Sequence, residues 1–292
     1  MRKLIIVCLV LNMVCLSLRG EETVKKDSSW SLSGMSALTL SQVSLSNWSA
    51  GGEDAIGFNV QFAYNADYKK AKHLWQNRLE LAYGLNRTET DGSKKTNDKI
   101  YISSTYGYGL TKSLYVSSMV SFNSQFAKGY DYKPDPRVLI SRFMAPGYLM
   151  GGLGLTWNPK VYFTATLSAI SWRGTFVTSD VLSEQGAYGV KPGEHLFSEM
   201  GGNLKLEVNY EFMKNMTIYS RVDFFSNYLE DTKNVDVRWD VLLNMKVNKW
   251  FSANISTNMI YDNDTKIVQK DGSKGPRLQF KEVLGVGFQV NF

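Results

Sequence analysis

The stretch VDVRWDVLLNMKV at residues 235–247 alternates between apolar and polar side chains. Its odd positions are all apolar, whereas its even positions include Asp236, Arg238, Asp240 and Lys246. A period of two residues indicates a β-strand with two unlike faces. In a soluble sheet the apolar face packs on a core, but in a membrane barrel it faces lipid and the charged face lines the interior. The rest of the chain decides between these assignments.

The same alternation recurs along almost the whole chain after residue 20. It predicts about twelve strands, an even number as in single-chain bacterial barrels. Many of these segments reach roughly 11 to 16 residues, whereas soluble strands average about 5 to 6 and tilted membrane strands need about 9 to 11. The length therefore favours a membrane barrel. We place the strands around residues 34–45, 56–65, 78–85, 100–110, 114–126, 138–157, 161–176, 204–212, 216–224, 235–247, 251–261 and 278–292.

Short and long connections alternate between these strands, as they do in outer-membrane barrels, and only the turn near residues 231–234 is short where a long loop is expected. Tight turns are predicted near residues 69–72, 111–113, 158–159, 214–215 and 248–249, and longer connections at 47–54, 88–97, 129–137, 177–199 and 264–275. Aromatic residues near the tight turns predict an interfacial girdle at that rim: Tyr68, Trp75, Tyr108, Tyr115, Trp157, Tyr162, Tyr210 and Trp250.

We therefore predict an all-β fold, an up-and-down antiparallel transmembrane β-barrel of about twelve strands. In this fold the apolar phase of residues 235–247 faces lipid, because Lys or Arg on the lipid face costs about 2 to 4 kcal/mol near the membrane centre. The alternative, a secreted β-sandwich, does not account for the strand lengths, connections and aromatic positions together.

The first twenty residues, MRKLIIVCLVLNMVCLSLRG, have the basic start, apolar run and small residues of a secretory signal peptide. We expect a barrel domain over residues 21–292. Cys8 and Cys15 would leave with the signal, so the mature chain would lack thiols and disulfides. Thirty basic and 27 acidic residues would remain, so the charge gives no argument for nucleic acid, and we do not expect it as a partner. Beyond the signal no apolar stretch is long enough for a transmembrane helix.

The last residue, Phe292, falls on the apolar phase of the final strand. This position resembles the terminal aromatic signature by which outer-membrane barrels are recognised for assembly. We expect the barrel-assembly machinery and outer-membrane lipid as partners, and an outer-membrane location.

The inward phase of the strands carries charges of both signs. One interpretation is a cross-linked polar network that fills a narrow barrel, because buried charges need partners. The other is a polar pathway for small hydrophilic solutes. The candidate lumen-lining residues are Arg78, Glu80, Lys205, Glu207, Glu211, Arg221, Asp223, Asp236, Arg238, Asp240, Lys246 and Lys281.

The longest connection, residues 178–199, is predicted to hold a short helix that starts at Asp180 and stops at Gly186. It could cap the mouth of the barrel or fold into it. We expect its acidic residues to be solvated, with cation binding as the alternative: Asp180, Glu184, Glu194 and Glu199.

Catalytic and metal-binding patterns do not emerge. A serine hydrolase needs a histidine that reaches a serine, and the chain has only His73, beside basic residues at a turn, and His195 in the long loop. Two histidines and a thiol-free mature chain make a zinc site improbable. We expect no enzyme activity, cofactor or metal.

A distinctive stretch, LSQVSLSNWSAGGEDAI at residues 40–56, resembles the opening motif of a family of uncharacterised Bacteroidota outer-membrane β-barrels, a domain of unknown function. Further matching pieces lie at residues 125–126, 129–130, 143–146, 186–190, 261–262 and 285–288. The resemblance covers essentially the whole mature chain. It implies the fold and the outer membrane and no particular activity.

Two loop motifs belong to this resemblance. We expect the segment containing Asn47, Trp48, Gly51, Gly52 and Glu53 to form a hairpin loop whose tryptophan anchors at the outer interface. The alternative is a partner or ligand contact made by Trp48, Glu53 and Asp54 with the second motif, which contains Gly186, Tyr188 and Gly189.

The leading functional hypothesis is a narrow polar channel or solute-binding barrel. The alternatives are a closed structural or docking barrel of an envelope complex and, less favoured, a membrane-embedded hydrolase.

Overall fold

The computed structural model describes residues 29–43, 55–88, 92–132, 136–230, 232–263, 267–268 and 274–292. The predicted signal peptide lies outside these residues, as does the first loop motif. The strands are β1 (Trp30–Val43), β2 (Ala55–Lys70), β3 (His73–Thr88), β4 (Gly92–Gly109), β5 (Leu114–Ser124), β6 (Gly129–Asp131), β7 (Val138–Ser141), β8 (Gly147–Lys160), β9 (Phe163–Phe176), β10 (Leu196–Met213), β11 (Met216–Asn227), β12 (Val235–Lys246), β13 (Phe251–Tyr261), β14 (Ile267–Val268), β15 (Lys274–Gly275) and β16 (Gln279–Asn291).

Twelve of these strands form one closed antiparallel barrel, which confirms the predicted fold. Each barrel strand pairs with the next barrel strand along the chain, and β16 returns to pair with β1. The backbones of Gly34 and Phe292 exchange two hydrogen bonds at this closure, of 2.6 and 3.0 Å. A Cβ at Gly34 would collide with Cε2 of the Phe292 ring, so a larger residue there has to displace this ring from the closure.

The tight turns at residues 71–72, 110–113, 161–162, 214–215 and 247–250 lie at one end of the barrel, which we call the turn end, and the long connection between β9 and β10 lies at the other, the loop end. The prediction of a long connection over residues 88–97 is wrong, because β3 extends to Thr88 and β4 begins at Gly92. The turn predicted at residues 158–159 is displaced, because β8 continues to Lys160 across a register shift and reverses at residues 161–162.

The prediction of one strand over residues 138–157 is wrong. Residues 142–146 make a tight reversal in which the backbones of Arg142 and Ala145 exchange two 2.9 Å hydrogen bonds and Met144 has φ 55. The reversal separates β7 from β8. Strand β7 pairs with β6 in a two-stranded hairpin that is not part of the barrel sheet. The alternation runs through both segments, so the pattern alone does not show the break.

The barrel exterior is apolar. Side chains of the outward phase, such as Trp239 at 42% and Leu284 at 66%, stay exposed in the isolated chain. An apolar surface of this extent is stable against lipid rather than water, so the fold is that of a transmembrane barrel. Glu282 departs from the pattern and is exposed opposite Thr257. Among the described residues no helix is long and apolar enough to cross a bilayer.

Aromatic rings cluster at the turn end, where the girdle is predicted. Trp30 lies 5.2 Å from Tyr68 and 5.8 Å from Trp75 between ring centroids, and Tyr162 lies 5.1 Å from Tyr210. Amphipathic rings of this kind favour the membrane interface. Tyr115 is an exception to the prediction, because it is buried and its ring packs against inward-facing Gly107.

The loop between β9 and β10, residues 177–195, packs against the loop end of the barrel, and we call it the loop cap. It contains the short helix α1 (Asp180–Glu184), which is followed by Gly186 at φ 63, as predicted. Its apolar side chains form a buried cluster with one residue of the preceding reversal: Ala145, Val177, Leu182 and Val190.

Candidate functional site

Six charged side chains meet halfway along the lumen, and we call them the mid-height network: Arg78 and Glu80 of β3, Lys99 of β4, Arg221 and Asp223 of β11, and Asp240 of β12. Lys99 Nζ lies 2.7 Å from Glu80 Oε2 and 2.9 Å from Asp240 Oδ2. Arg221 contacts Asp240, lies 2.9 Å from Glu80 Oε1 and reaches Asp223 at 3.6 Å. Arg78 Nε lies 2.5 Å from Glu80 Oε1. Three cations therefore face three carboxylates.

Two tyrosines support the guanidinium groups of this network. The Arg221 guanidinium lies 3.7 Å from the Tyr101 ring centroid, and that of Arg78 lies 3.7 Å from Tyr219. The Tyr219 hydroxyl donates to Glu207 Oε1 at 3.1 Å, and Glu207 also pairs with Lys205 at 3.1 Å. Desolvated cation–π contacts add about 2 kcal/mol each, so the rings hold the charges in place.

The mid-height network joins opposite walls of the barrel. Strand β11 is six steps from β3 around the ring of twelve, and β12 is six steps from β4. The contact of Arg221 with Glu80 and that of Lys99 with Asp240 therefore cross the lumen. Side chains beside the crossing, such as Tyr101 and Lys205, are buried. The lumen is filled at this height.

A second ion cluster lies nearer the loop end. Arg173 of β9 makes two 2.6 Å hydrogen bonds to Glu199 of β10, and its Nη2 also lies 2.6 Å from Asp236 Oδ2 of β12. Glu199 is only 1% exposed, so the expectation of a solvated loop acid is wrong at this position. The bidentate pair with Arg173 provides hydrogen bonds to both oxygens of this buried carboxylate.

A cavity of about 400 Å³ occupies the loop-end half of the lumen, between the two ion clusters. Lys99, Arg221 and Asp240 form its floor, and Arg173 and Asp236 belong to its wall. The volume falls within the range of small-molecule sites.

Two further cations line this cavity. The Arg238 guanidinium lies 4.0 Å from the ring centroid of Tyr148, and Lys281 Nζ donates to Asn97 Oδ1 at 2.9 Å. Strands β12 and β16, which carry them, are the two neighbours of β13. Both long side chains therefore project into one sector of the lumen.

The remaining predicted lumen residues lie away from the cavity. Glu211 is exposed beside the turn at residues 214–215, where its carboxylate accepts the Asn215 N–H at 3.0 Å. Lys246 is exposed at the turn end of β12. Lys205 and Glu207 pair on the wall next to the mid-height network.

The two loop motifs differ in what the structure describes. Asn47, Trp48, Gly51, Gly52 and Glu53 lie outside the described residues, and their contact with the second motif stays a prediction. In the second motif, Gly186 and Gly189 have positive φ, and the Tyr188 hydroxyl donates to the Ile140 carbonyl at 2.5 Å. Burial raises the pKa of this hydroxyl above its ordinary value, and nearby Tyr148 adds to the effect.

The histidines are engaged outside the lumen. His73 Nδ1 lies 2.7 Å from the Tyr106 hydroxyl, and His195 Nδ1 lies 2.7 Å from the Val177 carbonyl, with Asp180 at 3.6 Å from Nε2. In the described part of the chain neither ring hydrogen-bonds a serine, and no group of three metal-ligating acidic, histidine or cysteine side chains occurs.

Sequence reasoning missed three important lumenal residues: Lys99, Arg173 and Glu199. Ile100 and Ile102 lie on the outward, apolar face of their strand, so Lys99 at the adjacent position is predicted to point inward. The sequence therefore could have identified Lys99 as a lumenal residue. Arg173 could not be identified from the sequence, because β9 is irregular after Ser168. Its inward-facing side chains lie at even positions before this irregularity and at odd positions after it. A bulge of this kind leaves no clear mark in the pattern.

Two family models match parts of the chain. The family described as Protein of unknown function (DUF3078) matches residues 40–130, and Protein of unknown function, DUF481, matches residues 185–272. Neither match covers half of the 292 residues. No curated protein is significantly similar to the chain. The Bacteroidota origin and the N-W-S-A-G-G-E motif stay predictions.

Several solved structures share similarity with the chain at low identity. The NanC porin is 9% identical over 88% of this chain and 99% of its own, with a TM-score of 0.37. The translocator domain of autotransporter NalP from Neisseria meningitidis is 10% identical over 98% and 95%, with a TM-score of 0.35. OprB from Pseudomonas putida is 11% identical over 91% and 95%, with a TM-score of 0.30. Similarity at this level transfers no function to the chain.

Proposed function

We propose that this protein is an integral outer-membrane β-barrel that binds a small polar solute in its loop-end cavity, with the lumen closed halfway by the mid-height network. The cavity between two ion clusters is the observation that carries the proposal. It presents charged and aromatic groups around a volume suited to a small molecule. A narrow channel would have the same barrel fold, with the side chains of the mid-height network rearranged so that the lumen is open.

Three features support the outer membrane as its location. The exterior is apolar, an aromatic girdle surrounds the turn end, and the barrel is closed, so no strand edge meets lipid. The predicted signal peptide would bring the chain to this membrane. Assembly through Phe292 is part of the proposal, and its ring lies on the exterior beside Phe62 and Tyr64.

A closed structural or docking barrel is the second candidate. The ion pairs that join opposite walls favour it, because they cross-link the barrel whether or not a solute enters. The two candidates differ in whether the cavity is reachable from the loop end.

Thiol labelling tests this difference, because the predicted mature chain has no cysteine. We would place single cysteines in the cavity, Asn123→Cys, and in the lumen at the turn end, Ser33→Cys, and reconstitute each protein in oriented vesicles. We expect a membrane-impermeant maleimide to label Asn123→Cys only from the loop side and Ser33→Cys only from the turn side. An Asn123→Cys that resists labelling from the loop side contradicts a solute site there.

A further inference from the structure

The carboxylates that line the cavity are more completely paired than the cations that line it. Five carboxylates line the cavity, and each has a partner: Asp240 pairs with Lys99 and Arg221, Asp236 with Arg173, Asp98 with Lys95 at 2.8 Å and Asp223 with Arg221 at 3.6 Å, while Asp262 is buried and interacts electrostatically with Arg173. Asp98 also accepts the backbone N–H groups of Phe126 and Ala127. These acids therefore have little capacity left for a cationic ligand.

Two of the cations remain without such partners. Among the described residues neither Arg238 nor Lys281 has a carboxylate within ion-pair distance. Arg238 contacts the Tyr148 ring, and Lys281 contacts the Asn97 amide oxygen. A cation in a confined lumen is strongly stabilised by an anion that comes close to it. The cavity thus presents two cationic groups that a negatively charged ligand would pair.

Asn203 is an independent indication of a ligand. It lines the cavity from β10, is 1% exposed and donates its Nδ2 to the Phe224 carbonyl at 3.1 Å. Its Oδ1 is buried and accepts no hydrogen bond from the part of the chain that the structure describes. A buried acceptor without a donor is costly, so the site gains when a ligand supplies an O–H or N–H.

From these features we propose that the ligand is a small hydroxylated organic acid. Its carboxylate pairs with Arg238 and Lys281, and one of its hydroxyl groups donates to Asn203 Oδ1. The proposal rests on the solute-binding function above and adds the chemical class of the solute.

Three six-carbon probes test the class: gluconate is an open-chain carboxylate, whereas glucose is a neutral pyranose and glucosamine is a pyranose with an ammonium group. Binding to the purified protein in detergent micelles would be measured by calorimetry. We expect gluconate to bind at least about 10-fold more tightly than glucose and glucosamine to bind most weakly. Arg238→Gln and Lys281→Gln should each weaken gluconate binding by about 10-fold or more and weaken glucose binding by a smaller factor, because each removes a charge-assisted hydrogen bond to the carboxylate.

Two controls accompany these variants. Lys246→Gln removes a lumenal positive charge at the turn end, outside the cavity, and should leave gluconate binding unchanged. Arg238→Lys keeps the charge and should retain part of the affinity. The heat-modifiable mobility of folded barrels in gels verifies that each variant is folded.

The outcomes separate this inference from the proposed function. Equal binding of gluconate and glucose, or unchanged gluconate binding in both glutamine variants, overturns the organic-acid class and leaves the solute-binding barrel standing. Failure of all three probes to bind the folded protein also overturns the class of hydroxylated organic acids, whereas the solute-binding function is contradicted when Asn123→Cys resists labelling from the loop side.

Discussion

Arg221→Ala tests the mid-height network most directly. The Arg221 side chain contacts Glu80, Asp240 and Asp223 and lies over the Tyr101 ring. Removal of one partner from a buried ion pair costs about 3 to 5 kcal/mol, because the remaining charge stays desolvated. The carboxylates of Glu80 and Asp240 keep Lys99 as a shared partner, so we expect the lower end of the range, about 3 kcal/mol.

Urea unfolding of the protein in lipid vesicles, followed by tryptophan fluorescence, measures this loss. The matched control is Lys246→Ala, which removes an exposed lumenal cation and should change the free energy of unfolding by less than about 0.5 kcal/mol. The double variant R221L/D240L removes a cation and a carboxylate together. It should cost less than R221A, because paired removal leaves no new unpaired charge.

Single-channel recording in planar bilayers tests whether the same substitution opens the lumen to ions. We expect the wild-type protein to show no sustained conductance and Arg221→Ala to show stable steps whose size depends on salt. A loss of stability below about 1 kcal/mol in R221A would refute the claim that this residue ties the two walls together. Lost stability without any conductance would favour the closed structural barrel.

Four other changes probe separate parts of the molecule. Gly34→Val should lower the yield of heat-modifiable barrel in gels, because its side chain collides with the Phe292 ring; equal yield would show that the closure tolerates a side chain. Arg173→Gln leaves the carboxylate of Glu199 buried and unpaired, and we expect a loss of about 3 kcal/mol in urea unfolding, with a smaller loss for Arg173→Lys. Leu182→Ala opens the cluster under the loop cap, at a cost of about 2 to 5 kcal/mol to the cap, and should accelerate its proteolysis while the barrel stays intact. The raised pKa of Tyr188 means that its stabilising effect is complete below about pH 10 and is lost as pH rises further, so cap proteolysis should be constant up to about pH 10 and then increase.

Local features of the chain determined the architecture. The alternation in residues 235–247 and in its neighbours predicts which side of each strand is apolar, because successive side chains point to opposite faces. The turn signals and aromatic residues predict which end of the barrel has short connections. Strand length then distinguishes lipid from a soluble core. These inferences need only neighbouring residues, and the closed twelve-strand barrel agrees with them.

The tertiary structure alone decided which lumenal charges meet. Glu80 and Arg221 are 141 residues apart, and they touch because strand number and stagger place β3 opposite β11. An irregularity in β9 places Arg173 inward, toward Glu199. The preceding inward-facing residues of β9 are at even positions, so the alternation would have placed Arg173 outward. The cavity, its unpaired cations and the acceptor of Asn203 follow from those cross-barrel distances. Period-two alternation carries no information about them, because it specifies the face of each strand and not the position of that strand around the ring.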